Sequence, residues 1–203
     1  MGLGPAGQDP PPWRVLLIAG PSGCGKSELS RALARRLAIP VTEVDDFQAM
    51  LLRMTTPEQQ PAIHFWNTHP EPDSADEIVE RLVDQSVALC HGLEGVIANH
   101  LEADSPVILE GDFILPELAA RQTFLGQPNR GRVRGLLLHE PDEQQLLANY
   151  LRREPAAGPQ PKRAAVSGRH GLWLKAEAER HGLPVIPARP WNTLAGRALA
   201  ALR

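Results

Sequence analysis

Val15-Leu16-Leu17-Ile18-Ala19-Gly20-Pro21-Ser22-Gly23-Cys24-Gly25-Lys26-Ser27 decides how the rest of the chain reads. Residues 15–19 are an unbroken apolar run closed by glycine, the pattern of a strand buried on both faces of a parallel sheet. Residues 20–27 match G-x-x-x-x-G-K-S, and Leu29, Ala32, Leu33 and Leu37 then recur at helical spacing with arginines on the other side. Buried strand, glycine loop and amphipathic helix thus follow in the order that a phosphate-binding loop requires.

The chemistry of that loop is specific. Gly20, Gly23 and Gly25 let the backbone turn so that its N–H groups, those of Ser22 and Cys24 included, face a phosphate, and the following helix N-terminus adds partial positive charge. Lys26 is placed to reach the β and γ phosphates, and the Ser27 hydroxyl to ligate magnesium. The stretch predicts binding of ATP with Mg2+ and transfer of the terminal phosphoryl group to a small acceptor.

Outward from the loop, Val41-Thr42-Glu43-Val44 reads as a second strand ending at Asp45-Asp46-Phe47. Residues 48–73 read as irregular, with four prolines and the aromatic group His64-Phe65-Trp66. A long helix is expected from Ser74, where Ser-Ala-Asp-Glu has the capping-box form, with Ile78, Leu82, Leu89 and Leu93 as its apolar stripe. Further strands are expected at 107–109, 133–138 and 184–186, separated by helical segments near 116–125, 142–153 and 167–180, with a last helix from Thr193. Arg153 to Gly168 reads as a mobile excursion or an inert surface loop. Alternation of this kind implies an α/β fold, a parallel sheet covered by helices on both faces.

With 203 residues the chain suits one domain, 13–203, behind a disordered tail over Met1 to Pro12 that is nearly free of apolar residues. A net charge of −3, with only three lysines among 21 basic residues, argues against a long nucleic-acid groove or an anionic membrane as partner. No apolar run spans a bilayer and no leader is evident, so a cytoplasmic location is expected. Two cysteines, Cys24 and Cys90, make no disulfide framework. His64 and His69 lack a third ligand at sensible spacing for zinc, and Trp66 between them suits loop packing or stacking on a substrate.

Phosphoryl transfer asks for positioning and charge compensation, so the carboxylates at the strand ends matter. Asp45 or Asp46 can orient or deprotonate an attacking hydroxyl, with Phe47 beside them, and Glu110-Gly111-Asp112 ends the third strand where magnesium or its water would sit. With G-P-S-G-C-G-K-S at 20–27, D-D-F at 45–47 and V-I-L-E-G at 107–111, the chain resembles the P-loop small-molecule kinases of the uridine kinase, nicotinamide riboside kinase and 2-phosphoglycerate kinase-like type. That resemblance implies a P-loop NTPase fold with a five-stranded parallel sheet, Asp45 as catalytic base and Glu110 as support for the metal. It also implies a lid over about 152–168, closed over the phosphate by Arg152 and Arg153, or Lys162 and Arg163. By the same likeness Arg189-Pro190-Trp191-Asn192 is the loop that packs on adenine. Segment 48–73 matches no member of the group, and Gln48 stands where an aromatic residue usually follows D-D-F.

Other classes are less well served. A guanine-nucleotide switch usually carries N-K-x-D, which is absent, and the chain is short for an AAA+ module. A kinase acting on an RNA end or a protein keeps the same chemistry with a macromolecular acceptor, and the sequence favours a nucleoside, sugar or hydroxy acid instead.

Overall fold

A computed structural model describes residues 11–69 and 74–202. Residues 1–10 of the expected tail, and 70–73 of the expected irregular segment, lie outside the described residues. The elements run β1 (Val15–Ala19), α1 (Lys26–Leu37), β2 (Val41–Glu43), α2 (Val44–Met54), α3 (Pro61–Thr68), α4 (Ala75–Glu102) and β3 (Val107–Gly111). They continue with α5 (Pro116–Ala120), β4 (Thr123–Phe124), β5 (Gln127–Pro128), β6 (Val133–His139), α6 (Glu143–Arg153), α7 (Pro161–Arg180), β7 (Val185–Pro187) and α8 (Leu194–Ala201).

Five strands form one parallel sheet in the order β2-β3-β1-β6-β7, so β1 with its apolar run lies at the centre. Its alternation divides the core between the two faces. Val15, Leu17 and Ala19 pack with α4, α5 and the buried positions of α7, while Leu16 and Ile18 pack with α1, α6 and α8. The α/β architecture expected from the sequence is the one observed.

Register fixes where chemistry can occur. Ala19 pairs with Gly111 and Leu137, and Glu43 pairs with Glu110, so the carboxyl ends of β1, β2, β3 and β6 meet at one edge. Ligands of open α/β sheets bind at such an edge.

The long helix starts as expected: Ser74 Oγ accepts from Glu77 N at 3.1 Å, and Ser74 N donates to the Glu77 carboxylate at 3.2 Å. Three expectations need correction. The described part of segment 48–73, residues 48–69, is largely helical, because Val44, Phe47 and Leu51 recur on one face against the core, and Pro61 sits in the first turn of α3, where proline is tolerated. The helix expected near 116–125 stops at Ala120, since Leu125 and Gly126, both at positive φ, turn the chain into the β4–β5 hairpin. The excursion from Arg153 to Gly168 is mostly ordered: a turn over Pro155–Ala157 leads into α7, whose Ala164, Val166, Ser167 and Gly168 are buried.

Candidate active site

The phosphate loop crosses the carboxyl end of β1, and the backbone it requires is one that glycine alone adopts easily. Gly25 caps α1 in the left-handed region at φ 98°, and a Cβ there would lie 2.6 Å from the Trp191 ring. A Cβ on Gly23 would lie 2.9 Å from the Tyr150 ring. Two large aromatic residues are thus seated directly on the loop backbone.

Beside the loop is a cavity of about 1230 Å³, lined by Ser22, Gly23, Gly25, Lys26 and Ser27. Its acidic side holds Glu43, Asp45, Glu110 and Asp112, with Gln48 and Phe113; its basic side holds Arg152, Arg153 and Arg163, with Asn149. Trp191, Leu194 and Ala195 also line the cavity, as do Arg31 and Arg35 along α1. Glu43 comes from the end of β2 and Glu110 and Asp112 from the end of β3; the expected second strand stops at Glu43, so Asp45 comes instead from the first turn of α2, and α6 and the start of α7 deliver Arg152, Arg153 and Arg163.

Lys26 is buried and bonded within the site, donating to Pro21 O at 3.1 Å and forming an ion pair with Asp112. Burial disfavours its charge, but Asp112 foremost, then Cys24 and Glu110, overcompensate and raise its pKa. Glu110 is 3% exposed, and burial raises its pKa while Lys26 and a hydrogen bond from Ser27 pull it down. Asp45 is exposed overall, yet desolvation at the cavity wall, followed by the negative charge of Asp112, raises its carboxyl above the ordinary value. Burial pushes the Cys24 thiol up to about 11, which keeps it protonated and inert.

Helices α6 and α7 are tied to the loop. Asn149 Nδ2 donates to Gly23 O at 2.9 Å, and the Tyr150 hydroxyl shares a 2.6 Å hydrogen bond with Ser167. The Arg153 and Arg163 guanidinium groups lie 5.3 and 4.4 Å from the Tyr150 ring centroid, and Glu154 pairs with both. Arg152 is exposed on the cavity wall with no hydrogen-bond or ion-pair partner among the described residues, so it is available for an anion.

Of the residues singled out from the sequence, Ser22, Gly23, Gly25, Lys26, Ser27, Asp45, Gln48, Glu110, Gly111, Asp112, Arg152, Arg153, Arg163 and Trp191 meet in this one cavity. The others lie off its wall. Cys24 is buried in the core, Gly20 is packed under Leu138 O, Asp46 faces outward and Phe47 packs against the core. Trp66 donates to Gln85 Oε1 at 3.1 Å, within the packing of α3 on α4. Arg189 makes two 2.8 Å hydrogen bonds to the buried Glu140 and a third to Asp142, so it supports the turn that presents Trp191. His64 bonds Thr55 at 3.1 Å while His69 stacks on Phe65, and no cluster among the described residues suits a metal held by three or more protein side chains.

Sequence reasoning missed Asn149 and Tyr150, although Tyr150 lies one helical turn before Arg153 and belongs to the same structural unit. It also missed Arg31, Arg35, Phe113 and Glu43, which reach the cavity only through the fold. No helix among the described residues is long and apolar enough to cross a membrane.

No family model matches the chain, and no curated protein matches it. Solved structures do. A gluconokinase from Sinorhizobium meliloti 1021 superposes with a TM-score of 0.55 at 18% identity, covering 94% of this chain and 91% of its own. A sugar kinase from Janibacter sp. HTCC2649 gives 0.56 at 17% identity, covering 94% and 95%. A shikimate kinase from Acinetobacter baumannii, in complex with shikimate, gives 0.53 at 14% identity, covering 93% and 92%. At such identities the likeness is one of architecture, and by it the chain has the α/β fold of P-loop small-molecule kinases, a five-stranded parallel sheet flanked by helices.

Proposed function

We propose that this protein is an ATP-dependent kinase that moves the γ-phosphoryl group onto a hydroxyl of a small molecule. The observation that carries the reading is the single cavity in which the phosphate loop faces Asp45 and Glu110 on one side and three lid arginines on the other. The kinase structures that share the fold support it.

In this reading the loop amides and Lys26 hold the phosphates, Lys26 exchanging Asp112 for phosphate oxygens. Asp45 accepts the proton of the acceptor hydroxyl as its oxygen bonds to the γ phosphorus and the bond to the β–γ bridging oxygen breaks, releasing ADP. The raised pKa of Asp45 suits a base. Arg152, with Arg153 or Arg163 freed from Glu154, meets the charge on the phosphoryl oxygens. Trp191 offers a flat face at the nucleotide end.

The donors fit magnesium. Ser27 and Glu110 are hard oxygen donors lining the same cavity, and this ion characteristically takes few protein ligands and completes its shell with phosphate and water. Mg2+ held by Ser27 and Glu110 would neutralise phosphate charge.

To test the reading, purified protein is incubated with ATP and magnesium against nucleosides, sugars, sugar acids and aminoglycosides, and ADP release is followed. Stimulation by an acceptor supports a small-molecule kinase. Acceptor-independent hydrolysis, or tight ATP binding without turnover, moves the assignment to a nucleotide-driven regulator or a macromolecular acceptor.

A further inference from the structure

The two sides of the cavity differ in charge, and the side where Asp45 stands bears on what the acceptor is. Along it lie Glu43, Asp45, Gln48, Asp112 and Phe113. Lys26 is there, but it is paired with Asp112 and committed to the phosphate loop. Arg31 is tied to Glu43 at 3.4 Å. Arg35 lies about 13 Å further down the helix from Lys26 at 1.5 Å per residue, away from the strand ends. The lid arginines 152, 153 and 163 stand on the opposite side. No other lysine or arginine among the described residues lines the cavity.

A carboxylate on the acceptor would therefore enter a wall of like charge whose nearest guanidinium, Arg31, is already paired with Glu43, so Coulomb repulsion acts in a partly desolvated space. A hydroxyl-rich neutral compound meets carboxylate acceptors and the Gln48 amide, and an ammonium group meets attraction. Phe113 adds an apolar surface for a ring or carbon skeleton. We infer that the acceptor is an uncharged or cationic polyhydroxyl compound. This rests on the kinase reading above and sets the chain apart from the shikimate-bound structure that shares its fold.

The test uses matched acceptors in which one position of a common skeleton carries an amine, a hydroxyl or a carboxylate, such as 6-amino-6-deoxyglucose, glucose and glucuronate at C6, with several skeletons compared by ADP release. On any skeleton turned over, kcat/KM for the amine or neutral member should exceed that for the carboxylate by about tenfold or more. Gln48→Arg should narrow or reverse that ratio, mainly through KM. A preference for carboxylates by the natural protein, or a ratio untouched in Gln48→Arg despite normal folding, overturns the inference while leaving the kinase reading in place. Turnover of no skeleton, with ATP bound, overturns the kinase reading and the inference together.

Discussion

The phosphate loop and the segment 44–69 face each other across one cavity, yet they are built on different terms. The loop hangs from the central strand of the sheet, whose residues are at most 1% exposed, and the groups proposed to hold phosphate are backbone N–H groups and two adjacent side chains. The facing segment hangs from the edge strand β2, and most of α2 is exposed, with Met54 at 72%. Binding by backbone leaves a short, strict pattern in the sequence. An acceptor wall made of separate side chains on separate elements leaves none.

Several substitutions sharpen or break that contrast. Lys26→Ala removes a buried charge bonded to Pro21 O and Asp112, and should lower kcat/KM for ATP by about a thousandfold or more, roughly 4 kcal/mol of transition-state stabilisation. A modest loss in steady-state kinetics would mean that the loop does not hold the reacting phosphates.

The next effect is on folding. His170 is 1% exposed on α7 with Nε2 unpartnered among the described residues, and burial pushes its pKa down to about 4. The unfolded chain takes up a proton near pH 6.5 that the native state refuses, so stability is complete above that value and is lost as pH falls towards about 4, by at most about 3 kcal/mol. His139, also shifted down by burial, acts in the same direction. Urea unfolding between pH 7 and 4 should show the decline, and His170→Leu should flatten it.

On the acceptor side, Trp66→Phe removes the 3.1 Å hydrogen bond to Gln85, whose amide nitrogen already lacks a partner among the described residues. Chemical denaturation should show a loss of about 1–2 kcal/mol, with ATP affinity unchanged. If ATP binding fell with it, the two regions would be coupled through the fold and not merely adjacent. Smaller still, the acid limb of the pH–rate profile should lie above the ordinary aspartate value, because desolvation and Asp112 both raise Asp45.

These contrasts also explain what could be read in advance. The strands at 15–19, 107–111 and 133–139 were legible from the apolar runs Val15–Ala19, Val107–Leu109 and Leu136–Leu138 within them, and the helix at Ala75–Glu102 because its capping box and stripe are local features. Helices α2 and α3 were hidden because prolines 57 and 61 look like breakers until Pro61 is seen at a helix start, and the order in 153–168 because its apolar anchors are small. Glu110 could be placed at its strand end, and Asp45 just beyond one, although it falls in the first turn of α2. Tyr150 beneath Gly23 could not, since nothing in the chain signals a contact between residues so far apart in sequence.

The most direct test of the central claim joins ATP binding by calorimetry with transfer of label from γ-phosphate-labelled ATP to the best acceptor, in the natural protein and in Asp45→Asn. The account predicts ATP affinity within about twofold and transfer reduced by two to four orders of magnitude, roughly the contribution of a positioned base. Transfer that survives in Asp45→Asn at its normal rate would contradict it.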